Sequence, residues 1–179
     1  MFAEELELCP EAEIIFGTHR ACAMYASEQA NFALKMADSI RTSLVSAVPA
    51  DGSEPIWNNS EAVKGSIVVV DRGGCPFADK AMHALAMGAV AVVVVDNKPG
   101  AAVFAMPGNF SSVSIPATLM AQEDGASLKD GLKHDATTMP IATLNIGPCA
   151  CVKHPSTFAC ISLTSGVYSC DSAVMVRTR

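Results

Sequence analysis

The chain has 179 residues, half of them hydrophobic and 17% charged, with a formal net charge of -6. That length holds one domain with decorations rather than two independent cores, and its apolar residues are mostly Ala and Val, which suit close-packed strands and small-residue helices. An acidic chain with no Lys/Arg cluster offers no basic patch, so neither nucleic acid nor an anionic membrane surface is expected as a partner.

Residues 1–20, MFAEELELCPEAEIIFGTHR, are acidic, whereas a secretory leader needs a basic start and about 7 to 15 uninterrupted apolar residues. If the protein is exported, this is its mature or truncated form. Short apolar segments around Ile14–Phe16 and Ser43–Val48 suit strands, and the polar stretch Ala26–Met36 between them has a helical reading without a settled period. VPADGSEPIWNNS, 48–60, is a loop dense in Pro, Gly, Asn and Ser.

GSIVVVDRGGCPFADKAMHALAMGAVAVVVVDN, 65–97, then reads as strand, glycine turn, helix and strand. Ile67–Val70 and Val90–Val95 have the β-branched composition of strands buried on both faces, and two such strands flanking a helix make a parallel pair. Pro76 stands where a helix tolerates proline best and Gly88 where a helix ends, which predicts a helix over 76–87. Phe77, Ala81, Ala84, Leu85 and Gly88 share the stripe that faces the sheet, leaving Asp79, Lys80 and His83 to point to solvent. The longest apolar run, Gly88–Val95, is far too short to cross a bilayer, so no membrane insertion is expected.

After a loop over Lys98–Ser112 comes a strand at Ile115–Met120, and QEDGASLKDGLKHD follows as a second amphipathic helix with acids in its first turn and Leu128 and Leu132 one turn apart. Thr137–Ile146 is a further strand. In the tail, FACISLTSG and VYSCDSAVMVRTR are strand-like runs joined by Thr164-Ser165-Gly166, the pattern of a hairpin. The division expected is a main domain over 1–147 with its amino-terminal segment, and a cysteine-rich extension over 148–179 packed on it.

Seven cysteines, Cys9, Cys22, Cys75, Cys149, Cys151, Cys160 and Cys170, are more than a cytosolic chain of this size normally carries and favour disulfides. The odd count leaves one thiol free or shared with another chain. Two sequons, Asn58-Asn59-Ser60 and Asn109-Phe110-Ser111, fit the same oxidising compartment, the cell exterior or an endomembrane lumen.

The turn Arg72-Gly73-Gly74-Cys75 lies between a strand's carboxyl end and a helix's amino end, where backbone N–H groups are unpaired and a ligand would bind. It lacks the spacings that close around phosphates. Two glycines are also what a tight turn alone demands, a reading that leaves Arg72 unexplained. No catalytic motif is present: there is no G-x-S-x-G elbow and no H-E-x-x-H, and His19, His83, His134 and His154 are scattered without carboxylate partners. His83 lies eight residues beyond Cys75, about 12 Å along a helix at about 1.5 Å per residue, out of reach as its base. Cys149, Cys151, His154 and Cys160 have the residue types of a zinc site but not a standard spacing, so disulfides are preferred there and no metal or other cofactor is expected.

VKGSIVVVDRGGCPFADKAMHALAMGAVAVVVVDN resembles the protease-associated domain family in its glycine-led strand, Asp-Arg-Gly-x-Cys-x-Phe turn, Lys-bearing helix and apolar strand ending in Asn. SIPATLMAQEDGASL resembles that family's Ile-Pro-Ala strand and the helix start after it, and weaker echoes at IIFG and LVSAVPADGSEPIWN extend the likeness over roughly 13–147. The resemblance implies a mixed, β-rich α/β fold, a β-barrel or sandwich with flanking helices. It also implies a non-catalytic module for protein binding, substrate recruitment or active-site covering. In sorting receptors of the family the matching turn contacts a peptide, which makes Arg72, Gly73, Gly74 and Cys75 the candidate ligand-binding residues. Many members carry a cysteine in the loop matching Asp51–Pro55, and here Ser53 and Glu54 stand there. Cys75 therefore pairs elsewhere, with Cys9, Cys22 or a tail cysteine, or stays a thiol that a helix N-terminus near Arg72 would acidify; the disulfide is the preferred reading. The expected function is a protein- or peptide-binding module of the secretory pathway or cell exterior. The alternatives are a structural subunit of an extracellular assembly, with self-association, or a substrate-guiding piece of a larger protease.

Overall fold

A computed structural model describes residues 22–35, 40–108, 113–134, 141–146 and 158–164. In chain order these form β1 (Cys22–Gln29), β2 (Ile40–Ser46), the single turn α1 (Ser60–Val63), β3 (Ile67–Asp71), α2 (Phe77–Ala86), β4 (Ala91–Val95), β5 (Ala117–Met120), α3 (Gln122–His134), β6 (Ile141–Ile146) and β7 (Phe158–Thr164). The mixed, β-rich character expected from the sequence is what is found.

The strands hydrogen-bond in the order β1-β5-β4-β3-β2-β6-β7, and β7 pairs back onto β1, so the ladder closes on itself. Neighbours β2, β3, β4 and β5 run parallel, while β1, β6 and β7 complete the ring through antiparallel pairs. Helix α2 crosses between β3 and β4, whose parallel register sets Val68 opposite Val92 and Val70 opposite Val94.

Both faces of β3 and β4 are covered, which is why their apolar runs are unbroken. Val68, Val70, Val92 and Val94 pack with Ala78, Ala81 and Ala84 of α2 and with Trp57. Ile67, Val69, Ala91, Val93 and Val95 point the other way, among Leu44, Met120, Ala142, Leu144 and Leu128 of α3. Removing each such valine from water contributes about 1.5 to 3 kcal/mol, and alanine along α2 lets that helix approach the sheet closely. The predicted helix over 76–87 is found at Phe77–Ala86 with Pro76 and Met87 as its caps.

Two expectations need correction. The stretch read as helical from Ala26 opens as strand: Ala26–Gln29 lie in β1, paired with β5 and β7, and no helix is formed over the described part of 26–36. Ladder partners on both sides override a segment, CAMYASEQ, that has little β propensity of its own. Lys80 does not point to solvent; it is fully buried, because backbone carbonyls near the turn receive its ammonium group. Within the 48–60 loop Trp57 is buried at 1% exposure, and its indole N–H donates to the Glu54 carbonyl at 2.9 Å. The strand expected at Ile14–Phe16 and the second run of the tail hairpin lie outside the described residues. The first run is β7, which is a member of the ring.

Candidate functional site

Strand β3 ends at Asp71, and the chain turns through Arg72–Pro76 into α2 at the carboxyl rim of the parallel strands. Gly73 and Gly74 adopt φ of +120° and +74°, left-handed values at which a side chain is strained. Gly74 has a second constraint: a Cβ there would lie 2.3 Å from Asp51 Oδ2 and 2.9 Å from Ser53 Cβ. The turn is thus pressed against the 51–53 segment. Lys80 Nζ donates to the carbonyls of Asp51 and Gly73 and pins the two segments together from beneath, and His83 Nδ1 lies 3.1 Å from the Gly52 carbonyl. Asp51 accepts the N–H and hydroxyl of Ser53, which hold its carboxyl below its ordinary value.

Arg72 is directed inward along the rim. Its Nη1 donates to Asp96 Oδ1 at 2.9 Å and Oδ2 at 3.1 Å, and its guanidinium carbon lies 5.5 Å from the Phe77 ring centre and 5.4 Å from that of Phe104. The two rings meet edge to face at 6.2 Å, an arrangement aromatic pairs prefer. Asp96 is 3% exposed, and a buried carboxylate needs every acceptor position occupied. It also accepts the N–H groups of Asn97 and Lys98 at 2.6 and 3.1 Å. Asn97 returns a hydrogen bond to the Arg72 carbonyl at 3.3 Å.

The same bracing continues to α3. Glu123 Oε1 accepts the Gly100 N–H at 2.8 Å; its own backbone N–H first, and then that of Gly100, hold its carboxyl below the ordinary value, and Lys129 pairs with Asp71 at the end of β3. Burial pushes Asp124 up, with Glu123 adding to the rise. The turn, the 97–108 loop and the start of α3 therefore form one cross-linked ridge, on whose outside Gly74, Pro76, Asn97, Lys98, Pro99 and Gly100 are exposed.

The four residues singled out from the sequence are indeed contiguous here, but they differ in character. Gly73 and Gly74 satisfy the backbone, Arg72 is committed to Asp96 and two rings, and Cys75 is partly exposed and forms no disulfide among the described residues. The acidification expected should Cys75 stay unpaired is corrected: burial pushes the thiol up, the Lys80 ammonium opposing and the Asp79 and Asp51 carboxylates adding to the rise. Its Sγ is 4.0 Å from the Gly52 carbonyl. Sequence reasoning missed Asp96, Lys80, Asp51, Phe77 and Phe104 as members of this ridge. The available signal was Asp96-Asn97 closing an apolar strand, level with the turn that follows its parallel neighbour.

Asn58 is exposed. Asn109, Cys9, Cys149, Cys151 and Cys170 lie outside the described residues, and Cys22 and Cys160 are described only as backbone positions in β1 and β7. Among the described residues no cluster of His, Cys, Asp and Glu could hold a metal ion, and no helix is long and apolar enough to cross a membrane.

A family model described as PA domain matches residues 12–128. Signal peptide peptidase-like 2 of Arabidopsis thaliana is 33% identical over 98 residues, 54% of this chain and 18% of that protein. ER degradation-enhancing alpha-mannosidase-like protein 3 of Homo sapiens is 30% identical over 98 residues, 50% of this chain and 10% of that protein. An aminopeptidase from Aneurinibacillus sp. strain AM-1 superimposes with a TM-score of 0.49 at 16% identity, over 83% of this chain and 34% of the other. The match thus spans no more than about a fifth of either curated relative.

Proposed function

This chain belongs to the PA domain family, and from that premise we propose that it is a non-catalytic module that binds a protein or peptide segment along the ridge at the carboxyl rim of β3 and β4. One observation carries the reading. Asp96 and Arg72 tie the turn at 72–75 to the loop at 97–108, so the exposed ridge at Gly74 and Asn97–Gly100 is held rigid, with the N–H groups of Asn97, Lys98 and Gly100 supplying the bonds that brace it. Preorganised backbone binds an extended segment with little loss of loop freedom. In this reading Arg72 acts as the positioning residue of the ridge, and Gly74, Asn97 and Lys98 face the partner. The compartment proposed is the secretory pathway or the cell exterior, in keeping with relatives whose names point to ER degradation and signal peptide processing.

Because those relatives are several times longer than the matched region, a second reading has the module guiding substrates to a catalytic domain on the same or a neighbouring chain. Both readings assign the ridge the same task. The test is capture of partners from the native compartment by immobilised protein and by its Asn97→Ala/Lys98→Glu variant. We expect the variant to melt within a degree or two of the parent and to lose the captured proteins. Capture that survives the double substitution, with the fold intact, would place the binding surface elsewhere.

A further inference from the structure

The sequon Asn58-Asn59-Ser60 contains adjacent asparagines that the fold treats in opposite ways. Asn59 is spent on structure: its Nδ2 donates to the Ser46 carbonyl at 2.8 Å and its Oδ1 accepts the Val48 N–H at 3.0 Å. Asn58, the acceptor position of the sequon, donates only its backbone N–H to the Val48 carbonyl at 2.7 Å. Its exposed side-chain amide has no hydrogen-bond partner among the described residues.

Exposed apolar side chains lie close to that amide: Val48, whose carbonyl accepts the Asn58 N–H, and Ile56, two residues before it. Ile56 is 77% exposed and Val48 45%, and Pro55 beside them is exposed as well. Single exposed apolar side chains are ordinary, but neighbouring ones mark surface that something covers. Burying Ile56 would be favourable, yet the fold leaves it outside while sealing its neighbour Trp57 at 1%.

We propose that Asn58 carries an N-linked glycan and that this glycan covers the Val48–Ile56 surface. The donor would be a lipid pyrophosphate-linked oligosaccharide. The bond from its anomeric carbon to the pyrophosphate breaks, a bond from that carbon to Asn58 Nδ2 forms, and the amide gives up one proton. Transfer to the extended chain before folding leaves the finished fold undisturbed, because Asn58 Nδ2 is exposed and bonds nothing among the described residues. This site rests on the secretory reading above and adds to it a modification and its physical purpose.

The experiment is secretion of the full chain from a eukaryotic host behind a heterologous leader, with Asn58→Gln, Ser60→Ala and Asn109→Gln variants in parallel. Expected is a mass and mobility shift removed by peptide N-glycosidase, with residue 58 converted to Asp in the peptide map, and loss of that modification in Asn58→Gln and Ser60→Ala. Asn58→Gln should then bind more of an apolar-surface dye and self-associate, and adding Ile56→Ser should reverse both. An unmodified Asn58 in the secreted, folded protein overturns the site. Occupancy without any change in dye binding or association in Asn58→Gln overturns the covering role. Since the host supplies the compartment, occupancy there with none on protein from its native source would count against the secretory location and leave the acceptor geometry standing.

Discussion

Arg72 shows how one residue type supports two different expectations. From the sequence its five donors look available to a carboxylate or to peptide carbonyls, and replacing it by Ala would weaken partner binding with little loss of fold. In the structure its partner is the chain's own Asp96, which is nearly inaccessible at 1% side-chain exposure while Arg72 retains 25%. Breaking a buried pair from one side costs about 3 to 5 kcal/mol, and the partial exposure of Arg72 sets the expectation toward the lower end. Arg72→Ala should therefore lower stability in urea by about 3 kcal/mol. A cycle with Asp96→Asn should return a coupling of at least about 1 kcal/mol; strictly additive losses would show that the pair contributes nothing jointly. Cys75 gives a second expectation at this scale. Burial raises its pKa, so at neutral pH less of it is thiolate than in an unstructured cysteine. Alkylation by iodoacetamide should run slower than that of a free thiol at pH 7 and climb as pH rises past the ordinary cysteine range. Faster alkylation at pH 7 would restore the acidified thiol that the sequence offered as the alternative to a disulfide.

Helix α3 makes the corresponding point for an element. Propensity favours replacing Gly125 by Ala, by about 1 kcal/mol in a helix interior. Yet a Cβ at Gly125 would lie 2.1 Å from Val95 Cγ1 and 2.6 Å from Cγ2, so α3 approaches β4 through the missing side chain. Overpacking of this kind costs about 1 to 3 kcal/mol. We expect Gly125→Ala to lower the melting temperature and Gly125→Ala/Val95→Ala to recover part of the loss, read by calorimetry. A single variant as stable as the parent would mean that α3 shifts freely over the sheet, and the Glu123–Gly100 and Lys129–Asp71 links to the ridge would then be weaker than the geometry implies.

At the scale of the molecule the decisive element is β7. Read from the sequence, residues beyond 147 are an extension packed on a finished domain. In the structure β7 pairs along β1 from Cys22↔Thr164 to Glu28↔Phe158, and along β6 from Ile141↔Thr164 to Ile146↔Ala159. Without it two strands would present open edges, which template aggregation. A chain ending at residue 147 should be less soluble than the full chain and should melt lower and less cooperatively. A soluble truncation with an unchanged melting temperature would return the tail to the status of an extension.

The β3-α2-β4 unit was legible residue by residue because its signals are local: β-branched runs at Ile67–Val70 and Val90–Val95, proline at a helix start and glycine at its end. The place of the ridge was legible for the same reason, since a turn after a parallel strand must lie at the sheet's carboxyl rim, and so was the family, whose motif is contiguous there. What the ridge is made of was not. Arg72 meets Asp96 across 24 positions, and Lys80 reaches back 29 to Asp51. A periodic pattern tells which face of an element is apolar, but not whether a long polar side chain on its margin ends in water or on a carbonyl. The strand state of β1 and the burial of Trp57 were hidden in the same way, because each is set by partners that only the closed ladder brings alongside. Local chemistry wrote the elements into the sequence; the pairing of buried polar groups and strand edges exists only once distant segments meet.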